Sequence, residues 1–156
     1  MRHAKSDWEA GAQSDHARPL NDRGRREAPS VGKRLVEMGA TASLVISSDA
    51  ARTRETWERI QPSFASALVE FEPTFYLAGI ESVRARLATV GDEVKSVLIL
   101  GHNPGWEQVV AELTGDRAEL KTAYAAVLES RSDGAWSELL ATPTFDVRKI
   151  VKPTEG

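Results

Sequence analysis

Two short apolar runs of the chain each lead through a compact turn into an amphipathic segment, and this pattern limits the folds available to it. The first run, residues 44–46, ends in the helix-capping side chains of residues 47–49. The second run, residues 97–100, enters the turn Gly-His-Asn-Pro-Gly at 101–105, where Pro104 suits the first turn of a helix. Each unit predicts a strand, a turn and a helix. Such units are typical of a largely parallel sheet with helices on both faces.

The segments around these two units fit the same class of fold. Asn21 is a candidate N-cap for a helix that ends near Gly39, and we expect Pro29 to kink this helix or to shift its start. Residues 68–71 alternate like a strand, and residues 80–90 carry apolar side chains on one helical face. We therefore expect an α/β fold of three layers, with a mostly parallel central sheet between helices.

The last third of the chain has a different pattern. Apolar residues recur in 123–128 and 136–140, and Asp133 and Gly134 between them form a turn signal. We expect an antiparallel hairpin at the edge of the sheet here. It should be followed by a loosely held tail over residues 143–156.

Length and composition indicate one ordinary globular domain. The 156 residues suffice to bury a core, so we expect a single domain over residues 1–156. The net charge is -3 and no apolar run approaches the roughly 18 residues of a membrane span, which argues against nucleic-acid and membrane partners. The chain has no cysteine, which excludes thiolate catalysis and cysteine-ligated metal. We expect a cytoplasmic monomer without cofactors.

Two histidines stand where ligands bind in such a fold. Ligands of open α/β sheets lie outside the carboxyl ends of the strands, and His102 follows the strand predicted at 97–100. At the start of the chain, His3 follows Arg2. An imidazole can accept a phosphoryl group, while a second imidazole and guanidinium groups stabilise its charged oxygens. The combination favours phosphoryl-transfer chemistry. The alternative for His102 is that it merely caps the next helix.

Two arginines of the helix predicted after residue 49 are candidates for the same site at the carboxyl edge of the sheet. Arg52 and Arg54 are two positions apart, which is about 200° around a helix, so only one of them can face a pocket. Arg52 lies nearer to the start of the helix and is the candidate phosphate ligand. The alternative is that both arginines lie on the surface.

Five segments, taken in order, resemble the histidine phosphatase superfamily, and specifically its small SixA-like phosphohistidine phosphatases. They are Arg-His-Ala-Lys-Ser at 2–6 with Asp7 and Trp8, Asp-His-Ala-Arg-Pro-Leu-Asn-Asp-Arg-Gly at 15–24, the Ser-Ser-x-Ala-x-Arg block at 47–52, Gly-His-Asn-Pro-Gly at 101–105, and Lys-Thr-Ala at 121–123. The resemblance covers most of the chain. It implies a phosphoglycerate mutase-like fold.

The resemblance also implies roles for individual side chains. His3 corresponds to the nucleophile of the family, and Arg2 and Arg52 correspond to its two phosphate-binding arginines. His102 corresponds to the second active-site histidine, which also contacts the phosphate. Arg18 corresponds to a further basic residue near the mouth of the pocket, which assists phosphate binding.

Two parts of the family pattern are missing from this sequence. One is the apolar strand before the Arg-His pair, so either the physiological start lies upstream of Met1 or the sheet lacks its first strand. The other is the acidic proton donor that larger members carry on an inserted segment. Asp15, Glu81 and Glu107 are acidic residues near the matched segments, but we expect each of them on the solvated surface.

The other polar candidates have simpler explanations. His16 has no partner at the spacing of metal ligands, and we expect it on a solvated loop. Arg23, Arg25 and Arg26 lie beside a glutamate in a negatively charged chain, so a solvated helix face is expected rather than a nucleic-acid patch. Asn103 matches a supportive loop position. No metal-binding motif is found, and no metal site is expected.

These observations predict a phosphatase in signal transduction that removes the phosphoryl group from phosphohistidine on a partner protein, through a phosphohistidine enzyme intermediate. Once protonated, imidazole leaves more easily than an alcohol, so a missing acid matters least for this substrate. Two alternatives stay open. One is a phosphatase of the same fold that hydrolyses small phosphomonoesters, and the other is a non-catalytic module that binds phosphoproteins.

Overall fold

Strands and helices alternate along most of the chain in the computed structural model, which describes residues 1–154. In chain order the elements are α1 (Asp22–Glu37), β1 (Leu44–Ser47), α2 (Ala51–Ile60), β2 (Leu68–Phe71), α3 (Ile80–Leu87), β3 (Val97–Leu100), α4 (Gly105–Thr114), β4 (Ala125–Ser130), α5 (Trp136–Leu139) and β5 (Phe145–Val151). Short 3₁₀ turns at Gln61–Ser63 and Pro73–Phe75 lie between α2 and α3. The α/β class predicted from the sequence is confirmed.

Three parallel strands form the central sheet, in the order β2-β1-β3. The middle strand β1 is buried along its whole length, because it pairs on both sides and is covered on both faces. Val45 packs in a cluster with Trp57 of α2 on one face. Its neighbour Ile46 points to the opposite face and packs in a cluster with Trp106 of α4. Helices on both faces of the sheet, in three layers, are therefore confirmed.

The first three residues connect the parallel sheet to the antiparallel pair β4-β5. Arg2 forms a parallel bridge to Gly101, and its backbone N–H donates to the carbonyl of Tyr124 (3.0 Å). The His3 N–H donates to the Gly101 carbonyl (3.0 Å), and the Ala123 N–H donates to the His3 carbonyl (2.9 Å). Next to this bridge, β3 and β4 line a cavity of about 760 Å³. A one-residue bridge thus stands where the sequence analysis found the first strand of the family pattern missing.

The antiparallel hairpin is present, but its second strand differs from the predicted one. β4 pairs with β5, whereas the apolar residues of 136–140 contribute to α5. The indole N–H of Trp136 donates to the carbonyl of Val94 (2.9 Å), and the spacing of the apolar side chains suits a helical turn. Since β5 covers residues 145–151, the prediction of a loose tail from residue 143 is wrong for that segment. Residues 155–156 lie outside the described part of the chain.

α1 begins where the capping signal predicts. The Asn21 side chain accepts a hydrogen bond from the Gly24 N–H (2.9 Å). The helix continues through Pro29, so the expected shift of its start is wrong. Buried side chains such as Val31 on its inner face compensate for the hydrogen bond that proline cannot make. No helix of residues 1–154, this 16-residue one included, is long and apolar enough to cross a membrane.

The turns before α2 and α4 lie side by side at the carboxyl edge of the sheet. Ser47 at the end of β1 pairs with Leu100 at the end of β3. The Ser48 N–H donates to the Leu100 carbonyl (2.9 Å), which joins the two turns directly. Residues that follow these strands therefore lie near His3, which is bonded to Gly101 at the same edge.

Candidate active site

His3 is held in one tautomer, with one ring nitrogen available. Its Nδ1 lies 2.6 Å from the carbonyl oxygen of Ala4. Because that oxygen can only accept, Nδ1 carries the proton and Nε2 keeps its lone pair. The residue is only 6% exposed, and burial lowers its pKa to about 3, with the positive charges of Arg52 and Arg2 acting in the same direction. His3 is therefore a neutral imidazole at pH 7.

His102 lies beside it in the turn before α4. The centroids of the two imidazole rings are 5.3 Å apart. The Nε2 of His102 is 2.7 Å from the Ser48 Oγ, which already accepts a hydrogen bond from the Ala50 N–H. In the tautomer in which the Ser48 hydroxyl donates to Nε2, the proton of His102 lies on Nδ1. Burial is the main cause that lowers the pKa of His102 to about 3, followed by the charge of Arg52.

Arg52 and Arg54 point in different directions from the first turn of α2. Arg52 is buried, and its guanidinium donates to the backbone carbonyl (2.8 Å) and to the carboxylate (3.1 Å) of Asp15. Arg54 donates instead to the Asp49 carbonyl (2.8 Å) and stacks over the ring of Phe71 at 3.9 Å. As the helical spacing predicts, only Arg52 is near the two histidines.

Arg2 is fixed by the loop before β4. Its guanidinium donates to the carbonyl of Leu120 (3.0 Å), which also accepts a hydrogen bond from the Asn103 side chain (2.8 Å). The Leu120 N–H donates to the carboxylate of Glu107 (2.7 Å). Asn103 thus takes a supporting position, and Glu107 binds backbone instead of lying free on the surface. Burial lowers the pKa of Arg2, and the charge of Glu107 opposes that shift.

Three donor atoms of this site are buried without a hydrogen-bond partner among the described residues: Nε of Arg2, Nε of Arg52 and Nδ1 of His102. They come from three separate parts of the chain, and the charges of both arginines act on His3. A buried polar group without a partner costs about 1–3 kcal/mol. An anion with several acceptor oxygens would satisfy all three groups. The arrangement suits a tetrahedral oxyanion next to the lone pair of His3.

Arg18 and Asp15 form the rim of this site. The guanidinium of Arg18 donates to the hydroxyl of Ser6 and to the Asp15 carboxylate (2.9 Å), and it stacks over Trp8 at 3.6 Å. The Asp15 carboxylate also accepts a hydrogen bond from the phenol of Tyr76 (2.6 Å). This bond and the two arginines hold the pKa of Asp15 well below its usual range. Asp15 lies on the surface as expected, with 42% of its side chain exposed, but its ionised carboxylate also bridges Arg18, Arg52 and Tyr76.

Sequence reasoning missed two aromatic residues of the rim. Tyr76 lies edge-on to His102, with ring centroids 5.5 Å apart, and His16 lies edge-on to Tyr76 at 4.9 Å. The Nε2 of His16 is 2.8 Å from the Asp49 carboxylate, so His16 is half exposed but is not the freely solvated residue that was expected. No local signal marks Tyr76, because its contact with Asp15 spans 61 positions.

The remaining acidic and basic candidates lie on the surface. Glu81 is exposed and pairs with Arg84 (2.8 Å), as expected. Arg23 pairs with Glu27 (2.7 Å) on the exposed face of α1. Within residues 1–154, no cluster of three or more histidine and acidic side chains is close enough together to bind a metal ion.

A neutral imidazole with a free lone pair, surrounded by buried cationic donors at the carboxyl edge of an α/β sheet, is suited to phosphoryl transfer. Comparison with known families agrees with this class of site, since residues 1–75 match the model of the histidine phosphatase superfamily, branch 1. A Haemophilus influenzae protein named phosphohistidine phosphatase SixA homolog is 33% identical over 153 residues, which cover 90% of this chain and 90% of that protein.

Further relatives and solved structures agree with this assignment. An uncharacterized chloroplastic protein of Arabidopsis thaliana is 33% identical over 90% of this chain and 69% of its own length. The structure of a SixA protein from Nakamurella multipartitia matches with a TM-score of 0.83 and 29% identity, over 99% of this chain and 94% of that one. A protein histidine phosphatase SixA complexed with tungstate has the same fold, with a TM-score of 0.82 over 98% and 94% of the two chains, at 23% identity. The chain belongs to the histidine phosphatase superfamily, and it is a SixA-like phosphatase.

Proposed function

We propose that this phosphatase removes the phosphoryl group from phosphohistidine on a partner protein, and that it does so through a phosphoryl group carried by its own His3. One observation carries the proposal. The Ala4 carbonyl fixes Nδ1 of His3 as a donor, so Nε2 presents a lone pair beside the unpaired donors of Arg2, Arg52 and His102.

In the first step, Nε2 of His3 attacks the phosphorus atom in line with the bond that breaks. The bond between phosphorus and the substrate nitrogen breaks, and its electron pair stays on that nitrogen, which must take up a proton. Arg2, Arg52 and His102 donate to the equatorial oxygens, where negative charge is concentrated. Arg18, whose guanidinium is held by Ser6 and Asp15, assists phosphate binding.

In the second step, water attacks the phosphoryl group on His3. The bond between phosphorus and Nε2 breaks, its electron pair returns to the imidazole, and inorganic phosphate leaves. Neutral His3 is then ready for another cycle. The same three donors serve both steps, because the equatorial oxygens keep their positions while the phosphorus atom moves first to Nε2 of His3 and then to the oxygen of water.

The leaving group favours phosphohistidine over a phosphomonoester. An alkoxide leaving group requires a strong acid, such as a carboxylic acid, to protonate it, whereas imidazole is a weaker base and leaves with less assistance. Among the acidic residues considered, Asp15 is ionised and bonded to arginines, Glu107 binds backbone, and Glu81 is exposed. The name of the Haemophilus influenzae relative is consistent with the same substrate class.

The proposal is tested by comparing kcat/KM for a phosphohistidine peptide with kcat/KM for a panel of sugar phosphates and nucleotides. We expect the phosphohistidine peptide to be hydrolysed far faster than every alcohol ester. Faster hydrolysis of a sugar phosphate or nucleotide would contradict the substrate class and support the small-molecule alternative. Binding of the peptide without turnover would support the non-catalytic alternative.

A further inference from the structure

We propose that His16, oriented by Asp49, is the residue that transfers protons in this site. It gives a proton to the leaving group in the first step and takes one from water in the second. This inference rests on the proposed function, because it completes the chemistry of His3. The Nε2 of His16 is 2.8 Å from the Asp49 carboxylate, so Asp49 sets the orientation of the ring and leaves Nδ1 for the reacting groups.

The position of His16 follows from bonds to the start of α2. The Ala51 N–H donates to the His16 carbonyl (2.9 Å), and the Arg52 guanidinium donates to the carbonyl of the preceding Asp15 (2.8 Å). The loop that carries His16 is thereby fixed to the same helical turn as a proposed phosphate ligand. The ring of Tyr76 is edge-on to the rings of both His16 and His102.

The geometry of in-line transfer places the leaving group on the side of His16. Nucleophile and leaving group stand on opposite sides of the phosphorus atom. His3 is buried at the inner end of the site, so the leaving atom faces solvent. His16 is the half-exposed imidazole on that outer side. A protein-borne phosphohistidine would approach from the same direction.

The other titratable groups of the rim are less suited to this task. Asp15 is ionised, and its carboxylate accepts hydrogen bonds from Arg18, Arg52 and Tyr76. The phenol of Tyr76 donates to Asp15, and burial is the largest cause that raises its pKa, so it holds its proton. His16, in contrast, has a half-exposed imidazole, whose ring nitrogens can both give and accept a proton.

The proton balance closes over one cycle. Protonated His16 gives its proton to the substrate nitrogen as the bond from phosphorus to that nitrogen breaks. Neutral His16 then takes a proton from the water that attacks the phosphoryl group on His3. The products are the free histidine side chain and inorganic phosphate, and both His16 and His3 return to their starting forms.

The test is a change in leaving-group dependence. 4-Nitrophenyl phosphate has a leaving group that needs little protonation, whereas phenyl phosphate needs more, and kcat/KM reports the step in which either one leaves. We expect His16→Gln to lower the ratio of kcat/KM for phenyl phosphate to that for 4-nitrophenyl phosphate by about a hundredfold. Asp49→Asn should lower the same ratio by a smaller factor. Arg54→Gln is the matched control, and its ratio should equal that of the wild type.

Dependence on pH gives a second readout. For phenyl phosphate, the wild type should show a fall of kcat/KM with rising pH that His16→Gln lacks. His3 and His102 have pKa values of about 3, outside this range, and titration of the substrate is common to both proteins. The charged groups around His16 are Asp49, which contacts its ring, and the neighbouring Asp15, which binds Arg18 and Arg52.

Two results would overturn the inference: an equal loss on both esters, which indicates a binding role, or no loss on either one. Failure of the proposed function is recognised separately. In that case the wild type forms no phosphoryl adduct on His3. If only the His16 inference fails, the adduct still forms.

Discussion

At the scale of single residues, Arg52 shows how a buried guanidinium keeps its charge and its orientation. Its side chain is 2% exposed, and Asp15 fixes it through both backbone and carboxylate oxygens. These bonds use the two terminal nitrogens and leave Nε for a bound oxyanion. A donor held in place before the reaction stabilises the transition state without reorganisation. Asp15 therefore orients the proposed phosphate ligand Arg52, even though a carboxylate itself repels an anion.

Arg52→Ala should lower kcat/KM by about a hundredfold, on the order of 3 kcal/mol of transition-state stabilisation, because it removes one such donor. Arg54→Ala is the control, since the Arg54 side chain stacks on Phe71 away from the histidines. Steady-state kinetics on one substrate measures both variants. If Arg54→Ala loses activity and Arg52→Ala keeps it, the assignment of the pair is wrong.

At the scale of elements, the site depends on how closely the turns after β1 and β3 are packed. A side chain at Gly101 would collide with the ring of Trp106, and one at Gly105 would overlap the carbonyl of Ala78. α4 can therefore approach the loop that carries Tyr76 only with glycine at position 105. The Ala4 N–H, next to His3, donates to Thr56 of α2 (3.0 Å), which ties the chain start to this helix.

The elements predicted from the sequence are those with local signals. The Asn21 cap, the two strand-turn-helix units and the opposed directions of Arg52 and Arg54 follow from spacing and capping alone. The second strand of the hairpin could not be found this way. Its partner is chosen by burial of residues such as Phe145 and Val151 against a core that forms only in the folded chain.

The same distinction applies to the site. The family resemblance identified His3 and His102, and the structure brings them together. Tyr76 contacts Asp15 across 61 positions of the chain, and His16 contacts Asp49 across 33 positions. No periodic pattern in the sequence predicts such contacts. Charged or polar side chains on separate loops therefore had to be interpreted one at a time, and solvation was the simpler explanation for each.

At the scale of the whole molecule, two neutral imidazoles in the interior make the fold sensitive to acid. Burial lowers the pKa values of His3 and His102 from 6.5 to about 3. The unfolded chain binds protons at these positions below pH 6.5, and the folded protein does not. Their contribution is fully present above pH 6.5 and is lost as the pH falls toward 3.

The free energy of unfolding should therefore fall by about 2 kcal/mol for each of these imidazoles between pH 7 and pH 5. Urea unfolding at the two pH values measures the change. The variant His3→Asn/His102→Asn is the control, and the difference between it and the wild type isolates the two imidazoles from other groups. An identical pH dependence in both proteins would contradict neutral histidines in the folded site.

The most direct test of the account is to identify the residue that carries the phosphoryl group during turnover. The enzyme is mixed with 4-nitrophenyl phosphate and quenched at alkaline pH, where phosphohistidine survives, and its peptides are analysed by mass spectrometry. We predict one added phosphoryl group on His3, which is lost as inorganic phosphate is released. The variant His3→Ala should form no adduct and show no turnover. An adduct on any other residue, or full turnover by His3→Ala, would contradict the central claim that His3 is the nucleophile.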